Sequence, residues 1–208
     1  MFKLYYAPGT CALASHIALQ EAGAAYTTER VDFKTNQQNS PEYLAINPKG
    51  RVPALVTDRG ILTETPAMLA FIAQSFPQTK LAPLDDPYTF AQVQAFNSYL
   101  CSTVHVAHAH KTRSYRWATD EASFADMKRM VPKTVAASFA LIERDMLKGP
   151  WVMGDTYTIC DPYLFTLAQW LEGDGVDLST LPRVAEHRKR MSERPAVRKV
   201  MAEQLTPA

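Results

Sequence analysis

The sequence predicts two domains, a small α/β domain followed by an all-helical domain. Residues 1–76 alternate between short apolar strands and amphipathic helical patterns, each ended by glycine or proline. Residues 78–87 contain two prolines and two aspartates, a composition typical of a linker. Beyond this stretch the strand patterns cease and helical stripes remain. We therefore expect domains at 1–77 and 88–208, joined by a linker at 78–87.

The first half of the α/β domain is expected to run strand, helix, strand, helix. Residues 2–6 form an apolar strand, residues 12–22 carry apolar side chains at helical spacing, and residues 26–31 alternate as a second strand. Ser40 and Pro41 begin a short helix, because serine caps a helix N-terminus and proline suits its first position.

A β-hairpin and a third helix complete this domain. Residues 52–56 and 61–63 are predicted strands on either side of the turn formed by residues 58–60. Residues 66–76 then carry apolar side chains on one helical face, and the run ends at Pro77. The resulting order is β-α-β-α-β-β-α.

Helical stripes organise the second domain. One stripe covers residues 90–104 and another covers residues 127–146, where Pro132 is expected to kink or split the helix. Thr158 and Asp161 form a capping pair at the start of a later helix, so Asp161 should be buried. Further helices are expected at 159–172, 182–193 and 196–204.

Composition excludes several classes of protein. A net charge of +1 gives no bulk attraction to nucleic acid or to a membrane surface. No apolar stretch approaches the roughly 20 residues that span a bilayer. Three widely spaced cysteines without a secretion signal argue against a disulfide framework. A cytoplasmic location is therefore expected.

Cys11 is a candidate reactive thiol. It follows Pro8 and Gly9 and lies at the start of the first helix, where the positive helix end should lower the pKa of the thiol. The alternative is a buried cysteine that serves as a small apolar side chain.

Residues 64–66 form a candidate anion site, preceded by a turn at Val52 and Pro53. The Val52–Pro53 bond is a plausible cis peptide, since it lies between a glycine turn and a short strand. Thr65 is predicted to cap a helix that begins at Pro66, and free N–H groups there attract anions. With Glu64 beside it, the pair suits a ligand that carries a carboxylate and an ammonium on one carbon. The alternative is an ordinary capped helix with a solvated glutamate.

His105 lies on a polar row of the first helical stripe with Ser98, Cys101 and Ser102. Such a histidine is either structural or a group that stabilises a thiolate or moves a proton. His108 and His110 follow closely, but no acidic residue accompanies them, so no metal site is expected.

Four motifs in order carry a family resemblance: residues 3–13, Val52-Pro53, Glu64-Thr65 and residues 158–161. Together they are similar to the cytosolic glutathione transferases, and most similar to the bacterial beta class. The resemblance implies that the N-terminal domain is thioredoxin-like and that the chain has the glutathione transferase fold. It further implies a homodimer, with the electrophile bound on the side of the helical domain.

The resemblance also implies how glutathione, as co-substrate, is bound. Thr65 would hold the γ-glutamyl carboxylate, Glu64 the ammonium, and the backbone of Val52, before Pro53, the cysteinyl unit. Lys34 matches a lysine that reaches the glycyl carboxylate in related enzymes, although a surface lysine is an equal alternative.

The implied catalytic residues are Cys11, His105 and Tyr6. Cys11 matches the active-site cysteine of the beta class, which forms a mixed disulfide with glutathione, and His105 matches its histidine. Tyr6 is either a hydrogen-bond donor to the glutathione sulfur or a core aromatic residue. Ser102 matches a serine beside glutathione, and Thr10 is a further possible donor.

The expected activity is transfer of the glutathione thiolate to a small electrophilic molecule. Two alternatives remain open. One is thiol-disulfide exchange through a Cys11–glutathione disulfide, and the other is a protein that binds glutathione without turnover.

Overall fold

The apolar strands of the N-terminal half pair into one sheet. In the computed structural model, which describes residues 1–205, this sheet has the order β2-β1-β3-β4. β1 is parallel to β2 and antiparallel to β3, and β3 is antiparallel to β4. The strands are β1 (Phe2–Tyr6), β2 (Tyr26–Arg30), β3 (Ala54–Thr57) and β4 (Gly60–Thr63). The helices of this half are α1 (Ala12–Glu21), α2 (Pro41–Ile46) and α3 (Thr65–Ser75). The predicted thioredoxin-like order is confirmed.

The second half is helical, as predicted. Its elements are α4 (Pro87–Tyr99), a π-helical segment (Leu100–Val104), α5 (His105–Ala109), α6 (Glu121–Leu141), a second π-helical segment (Ile142–Met146), α7 (Cys160–Ala168), α8 (Pro182–Glu193) and α9 (Pro195–Leu205). Among the described residues, no helix is both long enough and apolar enough to cross a membrane.

A shared apolar cluster joins the two halves. Leu13 and Ile17 of α1 pack with Phe165 of α7, and with side chains of α8 and α9. Arg194 adds a two-pronged ion pair to Glu21, with nitrogen–oxygen distances of 2.6 and 2.9 Å. Cys11 is the residue before α1, and α7 leads to the cleft described below. This interface therefore fixes the two walls of that cleft.

Pro132 was expected to kink or split its helix, and the structure shows that it does not split it. α6 continues through this residue without interruption. An interior proline costs about 3 kcal/mol. Burial of Val131, Val135 and Phe139, each 1% exposed, contributes about 1.5–3 kcal/mol per side chain and outweighs that cost.

Two predicted caps are present. The hydroxyl of Ser40 accepts a hydrogen bond from the Tyr43 N–H at 3.2 Å, at the start of α2. Asp161 is fully buried and accepts the Thr158 N–H at 2.7 Å. α7 itself starts at Cys160, one residue later than the cap at Thr158 implies.

Candidate active site

A cleft of about 710 Å³ lies between the two halves of the molecule. Its α/β wall comes from the start of α1, the turn before β3 and the start of α3. Its helical wall comes from the π-helical segment before α5, from α5 and the segment after it, and from α7 and the turn after it. The predicted site residues that line it are Cys11, Val52, Pro53, Glu64, Thr65 and His105.

Cys11 and Val52 both line this cleft and contact each other. The Cys11 thiol donates to the carbonyl of Val52, with a sulfur–oxygen distance of 3.7 Å. Cys11 occupies the N-cap position of α1, as its place in the sequence predicted. The Val52–Pro53 bond is cis, which confirms the prediction. The backbone of Val52 and the Cys11 sulfur therefore form one continuous surface for a ligand.

The expectation of a lowered pKa at Cys11 is wrong for the protein alone. Burial raises the pKa of the Cys11 thiol above its ordinary value. A hydrogen bond from Thr65 and the positive charge of Arg113 oppose this rise without reversing it. The sequence shows the helix end but not the burial of the thiol, which is the larger effect.

The start of α3 lies one residue before the predicted start at Pro66. α3 starts at Thr65, so Glu64 takes the N-cap position, and its side chain makes no capping hydrogen bond. Glu64 has φ 73° and ψ 119°, a conformation that costs a non-glycine residue about 1–3 kcal/mol. Such strain is frequent at ligand sites. Here it turns the exposed Glu64 side chain toward the cleft, beside the buried Thr65.

Lys49 shows that Glu64 can hold an ammonium group. The Lys49 ammonium forms an ion pair with the Glu64 carboxylate and lies 2.7 Å from the hydroxyl oxygen of Thr63. Both partners of the ion pair are partly exposed at the mouth of the cleft. A ligand ammonium can replace that of Lys49 with little loss, because exposed ion pairs contribute only about 0–1 kcal/mol.

His105 faces the cleft from the helical wall. Its ring lies 5.1 Å from the ring of Trp170 in an edge-to-face arrangement. Burial lowers the pKa of His105 to about 4, and the positive charges of His108, Arg113 and neighbouring arginines act in the same direction. His105 is therefore a neutral imidazole at neutral pH, able to accept a proton or to donate one hydrogen bond.

We expect no titration of His105 between about pH 5 and pH 8, because only below its lowered pKa does the ring become charged. The His105 ring signals in a proton NMR titration, assigned by their loss in His105→Gln, should stay constant over this range. A midpoint near the ordinary value for histidine would contradict the assignment of a neutral ring.

Trp170 connects the helical wall to the loop that carries Cys11. Its indole N–H donates to the carbonyl of Gly9 at 3.0 Å. On the other side, the indole stacks on His108 with ring centroids 4.2 Å apart. The His108 Nδ1 lies 2.6 Å from the carboxylate of Asp174, which is buried. This chain of contacts holds the two walls at a fixed separation around the site.

Tyr6, Lys34 and Ser102 do not line the cleft. Tyr6 is buried in β1, with its ring 5.6 Å from that of His16. The Lys34 side chain is exposed on the loop after β2. Ser102 is exposed within the π-helical segment, whose wider turn breaks the polar row expected from ordinary helical spacing. Their predicted roles toward glutathione stay predictions.

Other candidates have local partners. Thr10 lines the cleft, but its hydroxyl donates to the carbonyl of Ala7 at 2.7 Å. His110 packs edge-to-face on Trp117. Within residues 1–205 no group of three or more metal-ligating side chains is assembled.

Several residues of the cleft lack a local sequence signal. Tyr163 and Trp170 reach it from α7 and from the turn after α7, and Arg51, Arg113 and Arg116 line its mouth. Trp170 contacts a residue 161 positions away, which no spacing rule reveals. Only the basic residues near His105 could have been suspected, because they follow it closely in the sequence.

Comparison with known proteins agrees with this geometry. Residues 1–74 match the family model of the glutathione S-transferase N-terminal domain, and residues 108–204 match that of the C-terminal domain. Glutathione S-transferase GstA of Escherichia coli O157:H7 is 34% identical over 203 residues, which is 96% of this chain and 97% of that protein.

Two solved structures share the whole fold. A glutathione transferase homologue from Sulfitobacter, solved with bound glutathione, is 46% identical, covers 99% of both chains and has a TM-score of 0.96. The beta-class glutathione S-transferase of Sphingomonas chungbukensis is 30% identical, covers 98% of both chains and has a TM-score of 0.85. The chain therefore belongs to the glutathione S-transferase family, whose co-substrate is glutathione.

Proposed function

We propose that glutathione lies along the α/β wall of the cleft, with its sulfur beside Cys11. The γ-glutamyl carboxylate docks at the Thr65 hydroxyl and the start of α3, where free N–H groups favour an anion. The γ-glutamyl ammonium takes the place of Lys49 at Glu64. The cysteinyl backbone pairs with Val52, as an added strand pairs with an open edge.

The observation that carries this proposal is the contact between Cys11 and Val52. A ligand that pairs with the Val52 backbone has its cysteinyl side chain next to that residue, and the Cys11 sulfur lies 3.7 Å from the same carbonyl. The Sulfitobacter homologue with bound glutathione supports the choice of ligand.

Three features of the cleft favour a thiolate on the bound glutathione. Cys11 is the N-cap residue of α1, so the positive N-terminal end of that helix lies next to it. The positive charge of Arg113 also favours a thiolate here, because it lowers the pKa of the neighbouring Cys11 thiol. The neutral ring of His105 lines the same cleft and can donate one hydrogen bond to the thiolate sulfur. The thiolate then attacks the electrophile, a carbon–sulfur bond forms, and the leaving group departs with its electron pair.

A second activity, thiol-disulfide exchange, is favoured by the Cys11 thiol in the cleft. The Cys11 thiolate attacks the glutathione sulfur of a mixed disulfide, forms a Cys11–glutathione disulfide and releases the other thiol. A second glutathione thiolate then attacks that disulfide, regenerates Cys11 and leaves as glutathione disulfide. Because burial raises the pKa of Cys11, this activity should increase with pH above neutrality.

Cys11→Ala is expected to separate the two activities. Exchange should fall by about 100-fold or more, because the variant lacks the attacking nucleophile. Conjugation should fall by only about fivefold, because one weak hydrogen-bond donor to the glutathione sulfur is lost. Both rates are measured at saturating glutathione, with Cys101→Ala as a matched control, since Cys101 is the other thiol of the cleft. Unchanged rates in both assays would remove Cys11 from the mechanism.

We also propose a cytoplasmic homodimer that acts on small electrophilic molecules. All three cysteines are free thiols, which suits a reducing compartment. The family resemblance supports the dimer. Sedimentation equilibrium should give twice the mass of one chain, and the mass of a single chain would contradict the dimer.

A further inference from the structure

We propose that the electrophile used by this enzyme carries a carboxylate, bound by Arg113 and Arg116 on the helical wall. This inference rests on the transferase function proposed above and names the class of its second substrate. It follows from the positive charge of the cleft, from its arginines without a carboxylate partner and from the exposed aromatic rings on its walls.

Positive charge is concentrated in the cleft. Over the whole chain 22 basic residues nearly balance 21 acidic residues. Four cationic side chains, Lys49, Arg51, Arg113 and Arg116, line the cleft, whereas Glu64 is the one carboxylate on its walls within residues 1–205. Lys49 already neutralises Glu64. The three arginines therefore give the cleft an excess of positive charge, although the chain as a whole is nearly neutral.

None of these arginines has a carboxylate partner within 4.0 Å in the part of the chain that the structure describes. Among the described residues, several arginines outside the cleft do form ion pairs, for example Arg188 with Glu172 and Arg194 with Glu21, whereas the exposed Arg59 does not. An arginine fork without a carboxylate or phosphate leaves its strongest type of hydrogen bond unused. A bound anion would supply that bond.

The cleft arginines also repel one another. Burial lowers the pKa of Arg116, and the positive charges of Arg51 and Arg113 add to the effect. All three line the cleft together with His105, and their charges also lower the pKa of that histidine. A ligand anion relieves this repulsion, so the cluster favours an anionic ligand even where the guanidinium groups are partly hydrated.

Glutathione accounts for only part of this charge. Its γ-glutamyl carboxylate is assigned to Thr65. Its glycyl carboxylate lies on the α/β wall, where Lys49 and Arg51 precede the Val52 turn. Arg113 and Arg116 line the cleft from the helical wall, after α5, which is the wall where we place the electrophile. They are the cations that glutathione leaves without a partner.

Aromatic side chains beside these arginines define the rest of the electrophile. Tyr115 and Trp117 are 64% and 45% exposed, line the cleft and neighbour Arg116 in the chain. Phe33 is a further exposed ring among the residues that line the cleft, on the α/β wall. Exposed aromatic rings in a cleft bind flat apolar groups. The favoured electrophile is therefore an aromatic ring with a carboxylate.

A matched pair of electrophiles tests the proposal: 4-chloro-3,5-dinitrobenzoate and the corresponding neutral amide. In each case the glutathione thiolate attacks the chlorine-bearing carbon, the carbon–sulfur bond forms and chloride leaves with the bonding pair. Each kcat/KM is divided by the uncatalysed rate constant with glutathione, so that intrinsic reactivity cancels. The normalised ratio of carboxylate to amide should be about 10 in the unmodified enzyme.

Arg113→Gln and Arg116→Gln should each lower this ratio about threefold, and the double variant should bring it near one. Raising the ionic strength from about 0.02 to 0.3 M should also lower it, because salt screens exposed charges. Arg59→Gln is the matched control, since Arg59 is exposed on the β3–β4 turn and lies outside the cleft. The ratio cancels any change in the glutathione thiolate, which both reactions share.

A ratio at or below one in the unmodified enzyme, or an unchanged ratio in the double variant, would overturn the proposal. Failure to turn over either compound would instead contradict the transferase mechanism. In that case calorimetry decides the inference, with 3,5-dinitrobenzoate and 3,5-dinitrobenzamide as ligands. Tighter binding of the benzoate that is lost in the double variant supports the site, and equal binding rejects it.

Discussion

Thr65→Val should raise the dissociation constant for glutathione by about 10- to 100-fold, the range expected when a hydrogen bond to a charged group is lost. The substitution keeps the shape of a buried side chain and removes only its hydroxyl. In our account that hydroxyl and the N–H groups at the start of α3 hold the γ-glutamyl carboxylate. Among the described residues, the other buried hydroxyl-bearing residue that lines the cleft near Glu64, Tyr163, comes from α7 on the helical wall and not from the start of α3.

The measurement is titration calorimetry with S-methylglutathione, which retains the γ-glutamyl head but has no free thiol. Thr27→Val, an exposed change on β2, serves as the control and should leave binding unaltered. Circular dichroism verifies that both variants fold. A dissociation constant within twofold of the unmodified value for Thr65→Val would place the carboxylate elsewhere.

Asp161→Ala should lower the free energy of unfolding by about 4 kcal/mol, the largest stability effect that we expect from one side chain. The Asp161 carboxylate accepts hydrogen bonds from the N–H groups of Val152 and Thr158, at 2.8 and 2.7 Å. It also lies 3.0 Å from the His187 Nε2. Removal leaves these buried groups without a partner, at a cost of about 1–3 kcal/mol each.

For a chain of this length the loss corresponds to a decrease in Tm of about 10–15 °C. Asp177→Ala is the matched control, because Asp177 is exposed and accepts one N–H, from Ser179 at 2.9 Å. Losing that contact should cost about 1 kcal/mol or less. Equal Tm decreases in the two variants would show that Asp161 does not hold the start of α7, and with it the wall that carries Tyr163 and Trp170.

Local rules were sufficient where short segments determine the structure. The Ser40 cap, the Val52–Pro53 bond and the position of Cys11 at a helix start each depend on neighbouring residues. The β-hairpin and the order of strands and helices follow from apolar periodicity and from glycine and proline positions. Asp161 was also predictable, since its capping partner lies three residues away.

Predictions from local sequence were less successful for side chains whose properties depend on the tertiary structure around them. The position of Cys11 suggested a lowered pKa, but burial by distant segments raises it. Ser102 fits a regular helical row, yet the π-helical segment turns it to the surface. For Tyr6 the position at a strand end left two roles open, and its burial with the ring 5.6 Å from that of His16 favours the core aromatic residue.

The grouping of Arg51, Arg113 and Arg116 in one cleft could not be predicted from the sequence. Arg51 and Arg116 are 65 positions apart, and their charges meet only because the two halves of the chain close around one cleft. Trp170 likewise reaches Gly9 across the interface between these halves. Long-range placement of this kind depends on how the domains pack, which no spacing within one helix or strand encodes.

In our proposal glutathione lies along the α/β wall with its head at Glu64 and Thr65 and its sulfur beside Cys11. The decisive experiment is a crystal structure of the complex with glutathione. We predict the γ-glutamyl carboxylate on Thr65, the cysteinyl backbone paired with Val52, and the sulfur in contact with the Cys11 Sγ and facing His105. A γ-glutamyl group bound away from Thr65, or a sulfur directed away from Cys11, would contradict the account.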